Sequence, residues 1–212
     1  MCLKSAFAYP TGTRVVYSDV GFMVLGRVIE SLTAWPLDQA MRMLVQRPLN
    51  LSIRYGPVTD HPVAPTEVCP WRHRRLVGEV HDENAASLHG IAGHAGLFGT
   101  AADVATLGQV FLAEGDGFLS PRLVHESIRR QIDNRGLGWL MRSPEGSPSG
   151  RSFSETSFGH TGFTGTSLWV DPQRQLVCAL LTNRVFFGRA PEPITTFRPL
   201  FHDTLIEALE DR

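Results

Sequence analysis

Phe158-Gly159-His160-Thr161-Gly162-Phe163-Thr164-Gly165-Thr166-Ser167-Leu168-Trp169-Val170 is followed by the turn formers Asp171-Pro172-Gln173-Arg174-Gln175 and then by an apolar run from Leu176 to Thr182. Two extended runs around a cluster of turn residues read as an antiparallel hairpin. The first run is unusual. Glycines and small hydroxyl residues stand where a packed strand would carry bulk, and glycine inside a strand marks a bulge or the close approach of a ligand or another backbone. Two readings fit: a bulged edge strand with a wet face, or a strand against which a ligand lies.

Outward from the hairpin, 183–193 is irregular, and Leu200, Phe201, Leu205, Ile206 and Leu209 recur at helical spacing over 197–209. Upstream, the Ser-, Pro- and Gly-rich 143–154 is a loop and 136–141 looks like a strand. Ser120-Pro121 opens a helix carrying Leu123, Val124 and Ile128. Thr100 with Asp103 forms a capping-box-like start for a helix carrying Val104, Leu107, Val110 and Phe111. The glycines of 90–99 imply tight turns. Residues 50–75 show no clear period and read as a long surface excursion, of the kind that forms lids or pocket walls. Near the start, Phe22, Leu25, Val28, Ile29 and Leu32 recur at helical spacing, with Ser18 or Asp19 placed to cap the first turn. Pro36 then opens a second helix whose apolar face is Leu37, Ala40, Met41 and Leu44. Both helices are expected to face the core. Three or so antiparallel strands with helices before and after them make the fold class α+β, in one domain over 1–212.

Composition narrows the function classes. The 212 residues are 42% hydrophobic with net charge −1, which argues against nucleic acid or an anionic membrane surface as the main partner. No apolar run approaches the ~18 residues of a membrane span. The first ten residues make a poor signal peptide, so a cytoplasmic location is expected if Met1 is the true start. Cys2, Cys69 and Cys178 are widely spaced without a CxxC pair, and Cys178 reads as a small buried hydrophobe. His81, His89 and His94 invite a metal reading, but their spacing does not match HExxH and no cysteine lies nearby. Loop histidines bonded to backbone are the stronger reading, so neither a metal nor a cofactor is expected. Lysine occurs once, as Lys4, against nineteen arginines.

Tyr17-Ser18-Asp19 ahead of a helix, Ala95-Gly96-Leu97, the helix start at Thr100-Ala101-Ala102-Asp103, and His160-Thr161-Gly162, in that order, resemble the serine β-lactamase and penicillin-binding-protein superfamily. The resemblance is nearest to the branch of class C β-lactamases, D-alanyl-D-alanine peptidases and related esterases and amidases. Tyr17-Ser18-Asp19 corresponds to that branch's Tyr-x-Asn, with Asp for Asn. His160-Thr161-Gly162 corresponds to its Lys-Thr-Gly, with His for Lys. Gly78-Glu79-Val80-His81-Asp82-Glu83-Asn84-Ala85 and Gly93-His94-Ala95-Gly96-Leu97-Phe98 look like segments of serine hydrolases associated with peptidoglycan recycling.

The resemblance implies a role for each motif. Tyr17 would pass protons to and from a serine nucleophile, with Asp19 beside it in the motif. An unperturbed tyrosine titrates near ~10, so this needs a nearby cation. His160, Thr161 and Gly162 would hold the polar end of a small-molecule or muropeptide-like substrate. The Phe163 backbone N–H, expected on the strand just past Gly162, would donate to the oxyanion, and losing one such donor costs ~3 kcal/mol in the barrier. His81, Asp82 and Asn84 would form an opposing pocket wall. Tyr17 also has a plainer reading as a helix-start packing residue, and Asp82 with Glu83 as solvated loop charge.

The departures are as informative. The superfamily's nucleophile is the serine of Ser-x-x-Lys, and with Met1 three residues before the only lysine no such motif exists here. The nucleophile is absent, and only residues 1–16 precede the tyrosine motif. The chain is therefore expected to be the C-terminal portion of such a domain, with the apolar 176–181 strand open to a complementing N-terminal segment. Histidine is only partly charged near neutral pH, which favours an esterase or amidase over an efficient β-lactamase. A catalytically dead remnant that binds a ligand or partner is the rival expectation.

Overall fold

The hairpin forms where its turn residues place it. In this computed structural model, which describes residues 9–211, strand β6 (Phe158–Thr161) pairs antiparallel with β7 (Thr166–Asp171), and β7 with β8 (Leu176–Leu181). The readings of the opening segment, Cys2 and Lys4 included, lie outside the described residues. The chain divides into two compact units: residues up to 65 with 74–99, and 66–73 with 100 onward.

In the second unit a short strand β5 (Leu140–Met141) completes a four-stranded sheet in the order β5-β6-β7-β8. His160 stands opposite Leu168, Thr161 opposite Ser167, and Trp169 opposite Cys178. The two faces of the sheet pack separately, as strand alternation requires. Trp169 and Cys178 join Phe153 and Ile206 of helix α6 (Glu192–Glu210). Phe158, Val170 and Met141 join Phe111 and Leu112 of α4 (Ala101–Leu112) and Ile128 of α5 (Pro121–Ile128). Gly108 explains how close α4 lies: a β-carbon there would stand 2.5 Å from Val177 Cγ1. α4 starts on the expected capping box of Thr100 and Asp103.

The turn between β7 and β8 is tied from inside. Asp171, 0% exposed, accepts from the Ser154 backbone N–H at 2.8 Å, the Ser154 hydroxyl at 2.5 Å, and the Gln173 and Arg174 N–H groups at 3.1 Å. Burial alone would raise its pKa, yet these donors and the Arg174 charge hold it below the ordinary carboxylate range.

Three expectations change in this unit. The strand expected over 136–141 shrinks to Leu140–Met141, because Gly138 takes φ +80° and a side chain at Gly136 would meet the Ser127 carbonyl. The last helix begins earlier, at Glu192, and runs through Pro199. β8 is half-buried rather than covered on both faces, and among the described residues it pairs only with β7.

The first unit contains α1 (Asp19–Thr33), α2 (Leu37–Met41) running into a π-helical turn at Arg42–Gln46, and α3 (Glu83–Ser87). Strand β1 (Arg54–Tyr55) pairs with β4 (Leu97–Phe98). The 50–75 excursion is thus not structureless; β2 (Val68–Cys69) and β3 (Arg74–Arg75) also fall in or at the end of it. α1 corrects another expectation. Its apolar stripe is exposed at Leu25, Val28, Ile29 and Leu32, and only Gly26 is buried. Periodicity reports that a helix face is apolar, not what covers it. Ser18 sits at the N-cap without a side-chain bond. Among the described residues no single helix is long and apolar enough to cross a membrane.

Candidate functional site

His160, Thr161 and Gly162 end β6 and open its turn into β7. The Gly162 N–H donates to the Thr166 carbonyl at 2.8 Å and the Gly165 N–H to the Gly162 carbonyl at 3.2 Å. Two glycines are required by space. A β-carbon would stand 2.1 Å from Thr166 Oγ1 at Gly162, and 2.1 Å from the Leu168 carbonyl oxygen at Gly159. Gly165 takes φ +114°, a conformation that excludes most side chains.

Two arginines brace this turn. Arg198, on α6 and 7% exposed, uses one nitrogen, Nη2, to donate to the Gly162 carbonyl at 2.7 Å and the Thr166 carbonyl at 2.9 Å. Burial pulls its pKa down, and the Arg184 charge adds to this. Arg184 donates from Nε to the Phe163 carbonyl at 2.6 Å, and its guanidinium lies 4.2 Å from the Phe163 ring centroid, within cation–π range. Phe163 lies in the turn rather than on the strand where the sequence reading put it. Neither arginine was singled out from the sequence. The one available signal was general: with lysine nearly absent, any cation in a site had to be arginine.

His160 is half-buried. Its Nδ1 lies 3.0 Å from the Thr161 carbonyl oxygen, so Nδ1 carries the hydrogen in that bond. Burial lowers its pKa against the opposing effect of this bond, and the Arg135 charge lowers it further. The histidine that stands in the lysine position of the motif is therefore a neutral hydrogen-bonding group near neutral pH, and not a fixed cation.

In the first unit, Tyr17 leads into α1 and is 60% exposed, and Asp19 is the helix's first residue. Asp82 caps α3, accepting from the Ala85 N–H at 2.7 Å. His94 Nε2 lies 2.7 Å from Asp82 Oδ1. Burial would push the Asp82 carboxyl up, but the Ala85 N–H, the His94 imidazole and the Asn84 N–H together hold it below the usual carboxylate range. A carboxylate oxygen of Asp19 joins them, the three acceptor and donor atoms lying within 4.8 Å of one another. The structure thus brings Asp19 and Asp82 together beside His94, a residue noted for a metal reading and within the Gly93–Phe98 segment but given no role in the site. Of the three histidines in that reading, His94 alone joins the cluster: His81 is buried elsewhere and His89 is exposed at φ +61°. Asn84 is exposed on α3.

The Beta-lactamase family model matches residues 1–197. A protein described as "Putative D-alanyl-D-alanine carboxypeptidase" from Salmonella agona (strain SL483) is 35% identical over 210 residues, covering 87% of this chain and 48% of that protein. A solved beta-lactamase from Mycobacterium bovis superposes with TM-score 0.68 at 21% identity, covering 93% of this chain and 65% of that one. A penicillin-binding-protein homologue from Caulobacter crescentus gives TM-score 0.63 at 17% identity, covering 93% and 61%. At those identities the two structures speak for a shared α+β fold. The chain spans about half the length of the curated relatives it matches.

Proposed function

The chain belongs to the Beta-lactamase family, and from that premise we propose that it supplies substrate-holding and proton-handling residues of a serine hydrolase that cleaves an ester or amide through an acyl-serine. The observation that carries this reading is the turn after His160-Thr161-Gly162, whose glycines leave no room for side chains and whose carbonyls are pinned by a buried arginine. We assign the Phe163 N–H, in this braced turn, the role of donor to the charge that develops on a carbonyl oxygen; a fixed backbone is the preorganisation on which oxyanion stabilisation depends. The proposed sequence is simple. A serine oxygen bonds to the substrate carbonyl carbon as Tyr17 takes its proton, and Tyr17 passes that proton to the departing alcohol or amine. Water then breaks the acyl-serine bond and restores the serine.

The nucleophile is proposed to lie outside these 212 residues, since they hold no Ser-x-x-Lys, and residues 1–212 alone are proposed to be inactive. A neutral His160 pairs poorly with the carboxylate of a β-lactam. We therefore order the substrates as short esters and muropeptide-type amides ahead of cephalosporins. Turnover of a nitrophenyl ester, a muramyl peptide and a chromogenic cephalosporin by the protein carrying its upstream coding segment tests the order. Cephalosporin as clearly the best substrate defeats it.

The outer edge of β8, which has no strand partner among the described residues, and an apolar groove on α6, lined by Phe197, Leu200, Phe201 and Leu205, support a complementing N-terminal segment as partner. A monodisperse, cooperatively melting monomer of residues 1–212 would count against that partner. The missing nucleophile also favours a second reading, a remnant that binds a ligand or partner without chemistry. It predicts no covalent labelling even when the upstream segment is present.

A further inference from the structure

The meeting of Asp19, Asp82 and His94 is built from three separate segments, and the hydrolase reading above gives no work to His94. Its side chain is 3% exposed, with Nε2 on Asp82 and a carboxylate oxygen of Asp19 within 4.8 Å. An imidazole is costly to bury unless its partners are well placed, and the fold places them from both sides. Gly93 lets the loop lie flush on α1: a β-carbon there would stand 2.0 Å from the Phe22 carbonyl oxygen, and one added to the buried Gly26 would stand 3.4 Å from the Gly93 nitrogen. On the other flank the Tyr55 hydroxyl donates to the Ala92 carbonyl at 3.0 Å. The loop is therefore fixed immediately before His94, and Asp82 is fixed by its own cap on α3.

We propose that His94 is a positioning residue. Its imidazole, bonded to Asp82 and within 4.8 Å of a carboxylate oxygen of Asp19, packs this loop against the start of α1, two residues beyond Tyr17, and so fixes the direction in which the Tyr17 segment enters α1. The functional consequence rests on the role given to Tyr17 above, whereas the structural claim does not. A divalent cation is the competing occupant of such a cluster. His94 Nε2 is already bonded to Asp82 at 2.7 Å, so a cation would have to be held through Nδ1, with Asp82 as the outer carboxylate of the histidine, and the manganese arm of the test decides between the two. Among the described residues His94 Nδ1 is buried with no hydrogen-bond partner.

The test is backbone relaxation of the isotope-labelled chain, comparing wild type with His94→Ala and His94→Gln. In wild type the amides of Tyr17 and Asp19 should be rigid, with order parameters near about 0.85, and in His94→Ala they should fall below about 0.6 while signals of β6 to β8 stay in place. His94→Gln, which keeps an amide N–H donor, should recover most of the order, an outcome that loss of packing alone would not give. Unchanged order at Tyr17 in His94→Ala, or no recovery in His94→Gln, overturns the proposal. So does manganese(II) added to wild type, if it broadens His94 and its neighbours at stoichiometric concentration, since that assigns the cluster to a metal. None of these readouts requires activity, so failure of the hydrolase reading would leave them interpretable.

Discussion

Arg198→Met removes the guanidinium that fastens the β6–β7 turn while keeping an apolar stem. Two bonds are lost, from Nη2 to the Gly162 and Thr166 carbonyls at 2.7 and 2.9 Å. Hydrogen bonds to a charged group contribute about 1.5–3 kcal/mol each, so the gross loss is about 3–6 kcal/mol. Two effects reduce it. Neither carbonyl is orphaned, because Gly162 keeps the Gly165 N–H and Thr166 keeps the Gly162 N–H. Methionine also removes a charge whose burial is unfavourable, as the lowered Arg198 pKa indicates. The net expectation is about 2–4 kcal/mol of destabilisation. Urea unfolding followed by circular dichroism measures it, and Arg198→Lys, with one nitrogen able to reach both carbonyls, should recover part of the loss. A loss below about 1 kcal/mol would instead place Arg198 among groups whose bonds merely balance their desolvation.

Asp171→Asn should cost about 2–4 kcal/mol, because its amide would set a donor against the four donors that now converge on the carboxylate. Since the folded pKa of Asp171 is lowered, its contribution is present above the unfolded value of about 3.9 and disappears as pH falls through the folded one. The wild-type denaturation midpoint should drop below about pH 4 more steeply than the variant's. His160, whose folded pKa is also lowered, contributes stability above the ordinary histidine value of about 6.5 that is lost as pH falls through its folded value. Its imidazole resonances should titrate below about 6.5, and a midpoint above that would contradict the neutral assignment. Gly159→Ala should cost about 3 kcal/mol or prevent folding, by forcing a β-carbon against the Leu168 carbonyl and the buried Trp169 ring, and thermal melting reads it directly.

The parts legible in the sequence were those fixed by local rules. Asp171 to Gln175 announced the hairpin turn, Thr100 with Asp103 announced the start of α4, and Ser120-Pro121 that of α5. What stayed hidden depends on contacts distant along the chain. Arg198 reaches a turn 36 residues upstream and Arg184 one 21 residues upstream, and an arginine on an amphipathic helix carries no mark of where its fork ends. Asp82 and His94 were both noted, yet their pairing across 12 residues follows from loop glycines whose close approach to α1 no spacing rule encodes. The stripe of α1 was legible as apolar, while its exposure was not, because exposure depends on neighbours and not on period.

In the proposed function these residues hold a substrate for a serine supplied from outside residues 1–212. Intact-protein mass spectrometry after treatment with a fluorophosphonate tests it most directly, run on residues 1–212 and on the protein carrying its upstream coding segment. A single adduct is expected on the longer protein, on the serine of a Ser-x-x-Lys motif, and none on residues 1–212. An unmodified longer protein, or an adduct on a serine within residues 1–212, would contradict it.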